Sequence, residues 1–150
     1  MNSRRNSGAT VLVVDDQEIL RVLMCKTLER GGFDVLTASS GQEALSLFRD
    51  ADPPVDLLVT DYSMPGMTGL QLARECCSLN PELNVLYISG SWPGDILRTE
   101  LALGRRRFLA KPFPQSDLLQ NARAVLDMQL EPAPSRENYG FGLNRMSVGR

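Results

Sequence analysis

Residues Val55–Gly69 read VDLLVTDYSMPGMTG. Val55–Thr60 is an apolar run too short for a helix, and the residues after it, Asp61 and then Ser63, Pro65 and Gly66, are those of a turn. Beyond it, Leu70, Ala73 and Cys77 recur at the three- and four-residue spacing of a helix packed on one side. The stretch is therefore a strand, a loop that opens on a carboxylate, and a helix.

The same unit recurs on either side. Apolar runs occupy Thr10–Val14 (TVLVV), Asp34–Ala38 (DVLTA), Asn84–Ser89 (NVLYIS) and Arg107–Ala110 (RFLA). Most are rich in Val, Leu and Ile without alternation, as strands are when both faces of a parallel sheet are covered. Between and after them come helical patterns: Leu20, Leu23, Met24 and Leu28; Ala44, Leu45 and Phe48; Ile96, Leu97 and Leu101; Leu118, Leu119, Ala122 and Val125. Ser40–Glu43 (SGQE) fits a capping box, and Gly31–Gly32 is a stop signal for the first helix. The pattern predicts an α/β fold of the flavodoxin-like (βα)5 type. Its five-stranded parallel sheet takes the order 2-1-3-4-5, with right-handed crossovers placing helices on both faces.

Composition narrows the chemistry. The chain has 150 residues, 43% of them hydrophobic, and a net charge of −2, which fits a single domain with a core of its own and gives no electrostatic case for nucleic acid. No run approaches the roughly eighteen apolar residues of a membrane span, and Met1–Gly8 is too polar for a signal peptide, so the expected location is cytoplasmic. There is no histidine, which excludes an imidazole base, a His-ligated metal or a phosphohistidine within these residues. Cys25, Cys76 and Cys77, odd in number and without a C-x-x-C, read as reduced packing residues. Three parts are expected: a flexible start at 1–8, one domain at 9–130, and a flexible tail at 131–150 whose Pro, Gly and Asn break any apolar period.

In an open α/β sheet the ligand site lies beyond the carboxyl ends of the strands. There the sequence places Asp15 and Asp16 after the first strand, Asp61 after the third, Ser89 closing the fourth and Lys111 after the fifth. Strands one and three are neighbours in the expected order, so three carboxylates converge. A pair of them about 4 Å apart repels by roughly 4 kcal/mol at an effective dielectric of 20, which calls for a neutralising cation. Oxygen ligands without His or thiolate suit Mg2+. Each residue alone has an ordinary alternative: Asp16 as a helix N-cap, Asp61 and Ser89 as turn residues, Lys111 as a solvated charge.

Taken together, Asp15-Asp16, Asp61 in VTDYSMPGMTG, Ser89 in YISGS and Lys111 in FLAKPF resemble the receiver domain of two-component response regulators. The likeness spans about residues 9–129. It implies that Asp61 is the phosphoacceptor, taking a phosphoryl group from a sensor histidine kinase or a histidine phosphotransfer protein. It further implies that Asp16 and Asp61 ligate Mg2+ directly, that Asp15 holds a metal-bound water, and that the backbone carbonyl of Ser63 completes the protein ligands. Lys111 and Ser89 would sense the phosphoryl group, small Gly90 would keep the acceptor approachable, and Phe108 stands at the switch-aromatic position without the hydroxyl of a Tyr. Pro112 after Lys111 implies the family's cis peptide.

The resemblance makes the chain a signalling switch rather than an enzyme of turnover, one that acts through the face of its fourth helix, fifth strand and fifth helix, by docking a partner or forming a homodimer. Arg105–Arg107 falls beside that face, as a solvated basic turn or a partner contact, and Trp92-Pro93-Gly94 is an unusual feature near it. A DNA-binding helix-turn-helix would need about 60 further residues, so direct DNA binding is not expected. The expected form is a stand-alone receiver; the alternatives are a receiver excised from a hybrid histidine kinase and an aspartyl-phosphate phosphohydrolase. Against the last, Ser63 occupies the place of the second acid such an enzyme wants two residues after its nucleophile.

Overall fold

The computed structural model describes residues 8–128. Five strands, β1 (Thr10–Val14), β2 (Asp34–Ala38), β3 (Leu57–Asp61), β4 (Asn84–Ser89) and β5 (Arg106–Ala110), alternate with five helices. These are α1 (Glu18–Arg30), α2 (Gly41–Asp50), α3 (Gly69–Leu79), α4 (Asp95–Leu101) and α5 (Gln115–Asp127). The strands form one parallel sheet in the expected order, β2-β1-β3-β4-β5. The expected domain end at 129–130, the start at 1–7 and the tail at 131–150 lie outside the described residues.

Alternation along the strands divides the core. Leu12, Val14, Leu58, Val85 and Tyr87 face the layer of α2, α3 and α4. Val11, Val13, Leu57, Val59, Leu86 and Ile88 face α1 and α5. β1, β3 and β4 are buried along their whole length, whereas the edge strands β2 and β5 are half open, which is why their runs are less purely apolar. The third strand begins two residues later than its apolar run. Val55 is buried ahead of it, and Asp56 joins the chain to β1 by accepting from the Thr10 amide at 2.9 Å.

Local signals fix the helix ends. α1 stops in a Schellman turn: the Gly32 amide donates to the Glu29 carbonyl and that of Phe33 to the Leu28 carbonyl, with Gly32 at φ +97°, a conformation costly for any residue with a Cβ. The capping box at α2 is displaced. Ser40 accepts from the Glu43 amide, but the Glu43 carboxylate reaches past Ser40 to the amide and hydroxyl of Ser39. A complete box, not anticipated from the sequence, stands at α3, where Thr68 and Gln71 each accept from the other's backbone amide.

Two expected core positions are corrected: Leu23 and Ile96 face solvent. On α3, Leu70 and Ala73 are buried as expected and are joined by Leu72 and Cys76, while Cys77 is only partly buried. On α4 the inward residues are Leu97, Glu100 and Leu101, so a carboxylate shares the apolar stripe. The expected basic turn Arg105–Arg107 is corrected as well. Arg106 belongs to β5 and turns inward to pair with buried Glu100 at 3.2 Å, and the exposed Arg107 donates to Asn121 of α5 at 2.9 Å. The cysteines of the described residues are free, with Cys76 buried and Cys25 and Cys77 half-buried.

Replacing Thr68 with Ala removes the acceptor for the Gln71 amide and is expected to destabilise the fold by about 1 kcal/mol, a fall of roughly 2–4 °C in Tm for a domain of this size. Thermal unfolding followed by circular dichroism checks this; an unchanged Tm would mean that the box stabilises nothing.

Candidate functional site

The carboxyl edge of the sheet gathers the polar residues that the strand ends place there. β1 and β3 are hydrogen-bonded neighbours, Val14 pairing with Thr60, so Asp15 and Asp61 emerge side by side. Asp15, Asp16 and Asp61 can each offer one carboxylate oxygen such that all three atoms lie within 4.8 Å of one another, a grouping able to hold a metal ion. Asp15 is fully buried, Asp61 nearly so, and Asp16 is exposed.

Each acid is held differently. Asp15 Oδ1 accepts from the Gln17 amide at 2.8 Å, while its Oδ2 has no hydrogen-bond partner and lies 3.5 Å from Lys111 Nζ. Lys111 Nζ stands at the same 3.5 Å from Asp61 Oδ2, so one ammonium bridges two carboxylates. Asp61 Oδ1 accepts from the Ser63 amide at 3.4 Å. Asp16 is not the N-cap of α1; Gln17 holds that position without a side-chain cap bond, which leaves the Asp16 carboxylate to the pocket mouth. Burial pushes the Asp61 carboxyl above its ordinary value of 3.8; Lys111 opposes the shift and the like charge of Asp15 adds to it.

Ser89 is buried at the end of β4, and its Oγ accepts from the Ser91 amide at 3.3 Å, which leaves the hydroxyl proton free to be donated elsewhere. The Lys111 amide donates to the Ser89 carbonyl at 2.8 Å, tying the end of β5 to that of β4. The Lys111–Pro112 peptide is cis, as is Asp52–Pro53. A Cβ added at Gly90 would meet open space. Phe108 is half-buried and meets the ring of Trp92 edge-on at 5.2 Å, which places the unusual Trp92-Pro93-Gly94 segment against β5.

Sequence reasoning missed two residues that shape this pocket. Arg21, on the first turn of α1, donates from Nη1 to the Asp15 carbonyl at 2.9 Å and so clamps the acidic turn. A basic residue five positions after Asp16 was its only signal. Gly69 closes the loop after Asp61: its amide donates to the Tyr62 carbonyl at 2.9 Å, and a Cβ there would collide with the Asp61 carbonyl oxygen. Of its neighbours in PGMTG, only Gly69 has a contact that demands glycine for lack of room.

Fold and site together define an open parallel α/β module with an oxygen-lined acidic pocket, bridged by a lysine, at the point where strand order reverses. The family profile for the response regulator receiver domain matches residues 11–123, and the chain belongs to this family of two-component signalling switches. It is 32% identical to sensor kinase CckA of Brucella abortus over 83% of this chain and 13% of CckA. It is 30% identical to the receiver protein CpdR of the same organism over 77% of this chain and 95% of CpdR. Among solved structures, chemotaxis protein CheY4 of Vibrio cholerae superposes with a TM-score of 0.72 at 29% identity, covering 79% of this chain and 99% of CheY4. The chain spans only 13% of CckA and 25% of the transcriptional regulator DctD of Rhizobium meliloti. Among the described residues no helix is long and apolar enough to cross a membrane.

Because the folded state holds the Asp61 proton more tightly than the unfolded chain does, ionising this carboxyl costs stability. The cost is absent below the ordinary value and complete above the raised one. In metal-free buffer at pH 7, Asp61→Asn is therefore expected to be more stable than wild type, read as a higher Tm in thermal unfolding. The difference should shrink as the pH falls through the Asp61 titration towards 3.8. A variant less stable than wild type at pH 7 would show that Lys111 more than offsets the burial and repulsion.

Proposed function

We propose that Asp61 is the phosphoacceptor of this receiver and that Asp15, Asp16 and Asp61, with the backbone carbonyl of Ser63, form a Mg2+ site. The observation that carries this is the convergence of three acidic oxygens within 4.8 Å around a lysine equidistant from two of them. The donors fit the ion: all are oxygens, and one of them, Asp15 Oδ2, is buried without a hydrogen-bond partner. Bound Mg2+ would spread the charge that develops as one anion attacks another.

The chain's own residues do the rest. An Asp61 carboxylate oxygen attacks the phosphorus of a phosphohistidine; the O–P bond forms, the N–P bond breaks, and its electron pair returns to the imidazole. No histidine occurs in the 150 residues, so a sensor histidine kinase or a histidine phosphotransfer protein supplies the donor from outside them. Ile19, Val22 and Leu23, exposed on α1 directly after the acids, give such a partner an apolar landing face beside the acceptor. Exposed Gly90 leaves the approach open.

Once Asp61 carries the phosphoryl group, Lys111 exchanges its two carboxylate partners for a phosphoryl oxygen and Ser89 donates its hydroxyl to another. Two hydrogen bonds to a charged group are worth about 3–6 kcal/mol, against roughly 5.5 needed to carry a population from 1:99 to 99:1. Phe108 follows Ser89 and alters the α4–β5–α5 face, where Trp92, Ile96 and Leu103 are exposed for a protein partner or a second copy. Signalling of this kind belongs in the cytoplasm. The likeness to CckA supports the same chemistry within a hybrid kinase equally well.

Acetyl phosphate with Mg2+ is expected to add a single phosphoryl group, read by intact mass, and EDTA or Asp61→Asn to prevent it. Uptake by the Asn variant at the wild-type level would move the acceptor elsewhere. Lys111→Ala is expected to take up phosphate yet to leave the backbone NMR shifts of the α4–β5 face close to those of the unmodified protein; a full wild-type response would remove Lys111 from the sensing role.

A further inference from the structure

We propose that Glu100 pins the last turn of α4 to the sheet, so that modification of Asp61 pivots α4 about that turn and moves its N-terminal end with the loop carrying Trp92. The pivot rests on the phosphoacceptor reading; the pin rests on contacts alone.

α4 cannot hold itself. It has 7 residues, well short of the roughly 12–15 at which isolated helices become even marginal, and its N-cap, Gly94 at φ +90°, makes no side-chain cap bond. Its position must come from the residues it turns inward, Leu97, Glu100 and Leu101. The two leucines pack without directional preference. Glu100 is directional, and at 3% exposure its carboxylate destabilises the fold unless hydrogen-bond and ion-pair partners meet it.

The partners of Glu100 come from three elements. Oε2 accepts from the Tyr87 hydroxyl of β4 at 3.0 Å and from Arg106 Nε of β5 at 3.2 Å, and Oε1 lies 3.8 Å from Arg74 Nε of α3. Arg106 is itself fixed, donating to the Gly104 carbonyl at 3.0 Å and to Cys77 Sγ at 3.2 Å. All of these contacts meet the last turn of α4. At the other end, Ser91 and Trp92 are exposed, and the Trp92 ring leans edge-on against Phe108.

The pin also lies next to the switch. Tyr87 and Ser89 stand two apart on β4, Arg106 and Phe108 two apart on β5, so all four share one face, and Tyr87 is paired with Phe108 in register. A displacement that begins at Ser89 and Phe108 therefore enters through the loop before α4, which meets those two residues through the Ser91 amide and the Trp92 ring, while the last turn is tied to buried partners. The helix turns about the tied end. The receiver's changing surface is then the Trp92–Ile96 half of the face, while the half bearing Leu103 and Arg105 stays in place.

Amide hydrogen exchange resolved by NMR tests both statements. In the unphosphorylated protein, Tyr87→Phe, which removes one hydroxyl and keeps the ring, and Glu100→Gln are each expected to speed exchange at residues 98–101 about tenfold while α1 and α5 are unchanged. Wild-type rates at 98–101 in Tyr87→Phe would overturn the pin, and that variant decides the matter if Glu100→Gln does not fold. In wild type treated with acetyl phosphate and Mg2+, with uptake verified by intact mass, altered shifts and exchange are expected at 91–97 and unchanged values at 99–106. Equal changes in both segments would overturn the pivot. Absence of uptake would instead overturn the assignment of Asp61, and the pivot with it, while the first comparison still judges the pin.

Discussion

Crowding of negative charge at one edge of a parallel sheet is the constraint on which the rest depends. Asp15 is buried, Asp61 nearly so, and a single ammonium lies 3.5 Å from each. Burying carboxylates in such an arrangement raises the free energy of the folded state, and the upward shift of the Asp61 carboxyl, caused first by burial and further by the charge of Asp15, is the local sign of it. A protein keeps an unfavourable cluster of this sort when function requires it, and the remaining structure offsets the cost. Here the offset comes from the buried β1, β3 and β4 strands, which fill both cores and aim their ends at the pocket.

The surrounding residues fix the cluster in place. Arg21 holds the Asp15 carbonyl, the Gln17 amide holds one oxygen of Asp15, and the second oxygen stays without a hydrogen bond. The tight return at Gly69 holds the loop after Asp61 against the strand end. Lys111 is tied through its backbone to Ser89, so the two residues proposed to sense the phosphoryl group are already mechanically joined. The same strands continue inward to Tyr87 and Arg106, where Glu100 fastens the short α4 helix. The proposed acceptor, the proposed sensors and the α4–β5–α5 face are thus built on adjacent strands of one sheet.

How much of this was legible in the sequence depended on the kind of interaction. Strand order and the grouping of Asp15, Asp16, Asp61 and Lys111 follow from apolar runs and from where those runs end, because topology alone brings strand ends together. Contacts that depend on one side chain crossing to another element were not legible. Glu100 sits among Leu97 and Leu101 at helical spacing, yet nothing in the sequence says that Tyr87 and Arg106 come to meet it. Arg106 looked like one of three equivalent charges, and only the pleat of β5, which turns alternate residues to opposite faces, separates it from Arg107. Ile96 and Leu23 were misplaced because three- and four-residue spacing leaves the edge of a helical stripe ambiguous.

The central claim is that the acidic pocket accepts a hard cation and a phosphoryl group together, with Asp61 as the point of attachment. A crystal structure grown with Mg2+ and beryllofluoride, a phosphoryl mimic, tests it most directly. The expected result is beryllium bonded to Asp61, an ion contacted by the carboxylates of Asp16 and Asp61, and fluorine atoms within hydrogen-bond distance of Lys111 Nζ and Ser89 Oγ. An empty pocket under saturating ligand, or beryllofluoride bound to a different carboxylate, would contradict it.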